Sequence, residues 1–167
     1  TVIKTKVKNL DVDNVKPKRA GVVLYTVTEG ITYFGLGLDS KAHQFTDFGG
    51  GVSYRKDGDV IQGALREFRE ETLDIFGEIK KEDVQRFAVL YDSKNMIMFL
   101  HIDADPEVIS KKFLEKYKEE AGKWDPEVCS ITWISCSEFK QVIKTKGHLY
   151  SRVQNFLSRA GDFYYLL

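Results

Sequence analysis

Between Val60 and Phe76 the residue pattern leaves little freedom. At 100° per residue, Ile61, Ala64, Leu65, Phe68, Thr72, Ile75 and Phe76 gather in an arc of roughly 120°, the footprint of a helix pinned to a core along one side. Glu67, Glu70 and Glu71 fall in a separate arc of roughly 100°, with Asp74 and Gly63 pointing the same way. Asp59 with Gln62 marks the start of this helix and Gly77 its stop. Like charges at i, i+3 and i, i+4 cost a helix about a few tenths of a kcal/mol per pair, so something is expected to compensate them. Hard divalent cations do so well, because they prefer carboxylate oxygens and share them with water and substrate phosphates.

The remaining chain must build the core on which this helix docks. Ala20 to Val27 and Ile31 to Leu38 are β-rich segments separated by Thr28-Glu29-Gly30, a hairpin signal. Gly35-Leu36-Gly37 lacks the third glycine and following helix of a dinucleotide-binding turn. Gly49-Gly50-Gly51 has no Cβ atoms, which predicts a turn or bulge with close backbone approach. Val84 to Tyr91 and Asn95 to Ile102 read as strands around an Asp92-Ser93-Lys94 turn. Pro106 to Gly122 reads as an amphipathic helix with Val108, Ile109, Phe113, Leu114 and Tyr117 inward. Val128 to Ile134 reads as a strand, Ser137 to Lys144 as a short helix and Tyr150 to Ala160 as a final helix. Residues 1–19 form an arm or edge strand ending in Lys16-Pro17-Lys18-Arg19, which either touches phosphate or faces water.

Composition narrows the function classes. Lys plus Arg and Asp plus Glu each total 25, so no global field draws the chain to nucleic acid or an anionic membrane, and any polyanion site must be built locally. No apolar run approaches the ~18 residues of a membrane helix, and no segment reads as a leader peptide, so a cytoplasmic, intracellular address is the expectation. Cys129 and Cys136 sit an odd number of residues apart and read as reduced and structural. His43, His101 and His148 have no partner at metal-ligand spacing. With 167 residues, 43% of them hydrophobic, one domain spanning 1–167 is expected.

The glycine cluster followed by the acidic helix resembles the Nudix box. That family's pattern is a glycine, five residues, a glutamate, seven residues, then Arg-Glu-apolar-any-Glu-Glu-any-Gly-apolar. Arg66-Glu67-Phe68-Arg69-Glu70-Glu71-Thr72 matches its second half, and Gly63-Ala64 precedes it where small residues are common. Three departures stand out. Gly51 lies fifteen residues before Arg66 where the pattern has fourteen. The loop glutamate is replaced by Gly58, with only Asp57 and Asp59 nearby. The glycine after Thr72 is Leu73, which predicts a helix running one turn longer, to Gly77. Trp133-Ile134 followed by Glu138-Phe139 is a coarser likeness to the same family.

The resemblance implies an α/β/α sandwich with a mixed β-sheet, residues 49–77 forming the loop and helix of the site and residues 106–123 a helical insertion. It implies a metal-dependent pyrophosphohydrolase that cleaves a nucleoside diphosphate linked to another moiety, by attack of water on phosphorus. Glu67, Glu70 and Glu71 would hold Mg²⁺ or Mn²⁺, and Arg66 would orient these carboxylates. Glu67 is the first choice of general base, with Glu127, Glu119 and Glu120 as alternates. Gly50, Gly51, Lys112 and Tyr117 are candidate substrate contacts. Substrate choice lies outside the box. A phosphorylated small molecule is one class of partner. Capped RNA is another, because Tyr117, Trp124 and Tyr150 are interleaved with Lys112, Lys116, Lys123 and Arg152. Decapping, diphosphoinositol polyphosphate hydrolysis and a non-catalytic binding module are the alternatives; oligomeric state is open.

Overall fold

Val22, Val23, Leu24 and Tyr25 are consecutive and all buried, so the strand that carries them must be covered on both faces. A computed structural model describes residues Thr1 to Leu167. Along the chain lie β1 (Ile3–Lys6), β2 (Arg19–Thr28), β3 (Ile31–Asp39), β4 (Phe45–Thr46), β5 (Phe48–Gly51), α1 (Tyr54–Asp57) and α2 (Val60–Glu71). There follow β6 (Ala88–Tyr91), β7 (Asn95–His101), α3 (Pro106–Glu120), β8 (Val128–Ser135), α4 (Cys136–Lys144) and α5 (Ser151–Ala160). The eight strands form one mixed sheet in the order β1-β6-β7-β2-β3-β4, with β5 added to β2 and β8 to β3. β2 runs parallel to β7, and the other pairings are antiparallel.

Alternate residues of β2 feed two cores. Val22 and Leu24 meet Ile61, Phe68, Ile109 and Phe113 of α2 and α3, while Val23 and Tyr25 belong with Phe139 of α4 and Val153 and Phe156 of α5. The architecture is therefore an α/β/α sandwich with a mixed sheet, as the sequence predicts. The arm begins as an edge strand, β1 pairing only with β6. No helix is long and apolar enough to cross a membrane.

Four local expectations are corrected. Gly49-Gly50-Gly51 is strand rather than turn, paired residue by residue with Gly21, Ala20 and Arg19. A Cβ at Gly49 would stand 2.6 Å from the Ala20 carbonyl oxygen, so the missing side chain permits strand contact rather than a bend. On α3, Ile109 and Phe113 are buried but Val108 and Leu114 are exposed, because β8 covers a narrower stripe of the helix than its apolar face offers. The strand expected from Val84 begins only at Ala88, since a 3-10 turn occupies Lys81–Val84.

The fourth correction concerns the end of α2, which closes at Glu71 and not at Gly77. Asp74 N–H donates to the Arg69 carbonyl at 2.8 Å and Leu73 N–H to the Glu70 carbonyl at 3.1 Å, the two reversed bonds of a Schellman cap. Leu73 takes the left-handed position usually given to glycine, at φ 55°, and Asp74 follows at φ 60°. What holds a leucine there is its burial, at 8% exposure, together with the Arg69–Asp74 ion pair at 2.6 Å that clamps the turn from outside.

Candidate active site

The site grows from a fork in the sheet. From Leu24 to Thr28 one edge of β2 pairs with β3, and from Arg19 to Val22 the same edge pairs with β5 instead. Asp47, between β4 and β5, lies in the fork and is buried. Both of its oxygens accept from the Arg19 guanidinium at 2.7 Å. A Cβ on Gly21 would collide with this carboxylate, so the glycine in β2 makes room for it. Burial alone would lower the Arg19 pKa, but Asp47, Glu67 and Glu71 together raise it, and the arginine stays charged.

α2 docks its apolar face under β5 and points its acidic face at the same fork. Glu67 is set against Gly50, where a Cβ would lie 2.5 Å from the Glu67 carboxyl carbon. Burial raises the Glu67 pKa, Arg66 opposes that and Glu70 adds to it. Arg66 braces the arrangement. Its Nε and Nη2 donate to the two oxygens of buried Asp57 at 2.7 and 2.9 Å, Nη2 also to the Gly51 carbonyl at 3.1 Å, and Nη1 to Glu67 at 3.1 Å. Asp57, at the end of α1, is thus the carboxylate that anchors Arg66, while Asp59 caps α2 by accepting from Gln62 N–H at 2.9 Å.

Of the three helix carboxylates, Glu67 and Glu70 both accept from Arg66 Nη1, at 3.1 and 3.3 Å, and no group of three or more donors is already arranged to hold a metal. Glu70 is largely exposed, whereas Glu71 lies beside Glu127 at the cavity wall. Burial first, then the Glu127 charge, pushes the Glu71 carboxyl up to about 8. The donor set suits a hard divalent cation, because Glu71 and Glu127 offer carboxylate oxygens and form no ion pair within 4.0 Å.

Beside them opens a cavity of about 620 Å³, lined by Gly50, Gly51, Glu71 and Glu127 from the sequence candidates and also by Arg19, Asp47, Tyr150 and Arg152. Lys112 and Tyr117 stand elsewhere. Lys112 is exposed on α3, and Tyr117 is half-buried, its ring 6.4 Å from Phe113. Glu119 and Glu120 face Lys116, and Glu120 accepts from Trp124 Nε1 at 2.7 Å beside a different groove. Arg19 and Asp47 escape sequence reasoning because their partnership depends on the β2–β5 register. The only sequence signal is their flanking of two glycine-containing segments.

No family model matches the chain, and no curated protein does. Among solved structures it is similar to the NUDIX domain of Shewanella oneidensis NrtR complexed with ADP ribose, at 14% identity over 91% of this chain and 92% of that one, with a TM-score of 0.50. It is also similar to a C. elegans Ap4A hydrolase in a binary complex, at 22% identity over 90% of this chain and all of that one, with a TM-score of 0.47. A Nudix hydrolase described from Listeria monocytogenes matches at 12% identity over 86% of this chain and 93% of that one, with a TM-score of 0.43. The first likeness shows the fold: the sandwich is of the Nudix type.

Proposed function

We propose that the chain is a divalent-metal-dependent pyrophosphohydrolase. The observation that carries this reading is the pairing of Glu71 on α2 with Glu127 ahead of β8, at a cavity backed by Glu67 and Gly50. Carboxylates from two distant segments are held together there at an electrostatic cost, which a structural role does not explain.

Glu67, Glu70 and Glu71 would hold Mg²⁺ or Mn²⁺, with Glu127 beside Glu71. The bound cation supplies charge neutralisation of the pyrophosphate and acidifies water. Glu67 stands ready to accept the proton of the attacking water, with Glu127 as the second candidate on the cavity side. Arg66 fixes Glu67 through its bonds to Asp57 and Gly51, so it is a positioning residue. Asp47 and Arg19 keep the backbone of β5 in place against α2. Water displaces one phosphoryl group from another, and no covalent bond to the protein is needed.

The substrate class proposed is a nucleoside diphosphate linked to a further moiety. The test is to incubate the chain with Mg²⁺ or Mn²⁺ and ADP-ribose, dinucleoside polyphosphates, nucleoside triphosphates, cap-labelled RNA or a diphosphoinositol phosphate, identifying the phosphorylated products. Metal-dependent release of a nucleoside monophosphate is expected, abolished by chelator. Absence of turnover on every substrate, with metal present, turns the account toward a binding module.

A further inference from the structure

The charged groups of the cavity do not balance. Five carboxylates and three cations line it. Arg19 is committed to Asp47 through two 2.7 Å bonds, and Lys41 reaches Asp125 at 3.9 Å from an almost fully exposed position. Arg152, in the first turn of α5, forms no ion pair. Its guanidinium carbon sits 5.0 Å from the centroid of the Tyr150 ring, a contact that does not neutralise it. Arg152 is exposed, and although burial of part of its side chain and then the Arg19 charge lower its pKa, Asp47 and Glu127 oppose them from beyond ion-pair distance. A fork of donors held on an aromatic face and left without a carboxylate is suited to phosphate.

We infer that Arg152 binds one phosphate of the substrate, and that, having a single uncommitted guanidinium, the cavity selects a linear diphosphate over a densely phosphorylated ligand. The inference rests on the pyrophosphate reading of the same cavity and adds to it a residue and a discrimination. With Asp47 and Asp125 paired to Arg19 and Lys41, a ligand carrying many phosphates meets Asp39, Glu71 and Glu127 against one free cation and is repelled. A diphosphate presents one phosphate to Arg152 and keeps the other for the Glu67–Glu71 side. Tyr150, half-buried, flanks the guanidinium.

The experiment is calorimetric titration in magnesium-containing buffer of wild type, Arg152→Gln and Arg152→Lys with α,β-methylene-ADP and with inositol hexakisphosphate. Circular dichroism confirms that each variant folds, and hydrolysis of the substrates named above by the wild type, with metal present, is scored in parallel. Expected are binding of methylene-ADP by wild type, a loss of roughly tenfold or more in Arg152→Gln, partial recovery in Arg152→Lys and weaker binding of the inositol phosphate. Equal affinity of wild type and Arg152→Gln, no binding of methylene-ADP by wild type, or tighter binding of inositol hexakisphosphate overturns the inference. A wild type that binds methylene-ADP through Arg152 yet hydrolyses none of the substrates named above with metal present sinks the hydrolase reading and leaves this one standing.

Discussion

Gly50 and Glu71 are where single atoms decide the chemistry. The Glu67 carboxyl occupies the space that a Cβ on Gly50 would fill, 2.5 Å away. Gly50→Ala therefore displaces the carboxylate without disturbing the β2–β5 pairing, and we expect kcat to fall by on the order of a hundredfold. The urea midpoint should stay near that of wild type. An equal kcat would show that the position of Glu67 is immaterial. Glu71 makes a second prediction through its proton. An unfolded glutamate ionises near ~4.3, whereas burial and Glu127 hold the folded Glu71 up to about 8. Between those values the native state binds a proton that the unfolded chain has released, so this contribution to stability is lost as pH rises through the window. In chelator, the melting temperature should drop between about pH 5 and about pH 8, and drop less in Glu127→Gln, which removes the charge but leaves the burial. Parallel curves for the two proteins would remove Glu127 from the pair.

At the scale of the element, the end of α2 shows what local rules miss. Absence of glycine at Leu73 predicts continuation to Gly77, yet the Schellman bonds from Leu73 and Asp74 close the helix after Glu71. Tertiary burial of Leu73 holds the left-handed turn, a term invisible to periodicity. Leu73→Gly tests the balance: it relieves about 1–2 kcal/mol of left-handed strain and forfeits the burial, worth about 2–5 kcal/mol as a large-to-small change. Net destabilisation of about 1–3 kcal/mol is expected in urea unfolding, and a more stable variant would show that strain dominates. Periodicity did identify α2, α3, α4, α5 and most strands, because their apolar stripes face a core directly. It could not identify β5, since a run of glycines carries no hydrophobic signal and its pairing with Arg19–Val22 is set by sterics across the sheet. The acidic face of α2 was legible from spacing alone, but Arg66's hold on Glu70 required side-chain geometry.

For the whole molecule, the sandwich brings β2, α2 and the segment before β8 to one fork, which is how Glu71 and Glu127, far apart in sequence, come to line one cavity. Nothing in the spacing of Glu127 announces this. Its place follows from β8 pairing with β3 and from the route of the chain between α3 and β8. The opposite layer has its own keystone. Phe163, wholly buried beyond α5, lies 4.9 Å from Phe99 and 4.3 Å from Tyr164 between ring centroids. Phe163→Ala should cost about 3–5 kcal/mol by urea unfolding, and a loss below about 1 kcal/mol would mean that the layer repacks around the void. The central claim is that the Glu71 side of the fork supports metal-dependent hydrolysis. Its most direct test is the rate of hydrolysis of the proposed panel of nucleoside diphosphate derivatives by wild type and Glu71→Gln, each with Mn²⁺ and with chelator. The account predicts turnover only for wild type with metal, and a loss of roughly a hundredfold or more in the variant. Turnover by Glu71→Gln at the wild-type rate would contradict it.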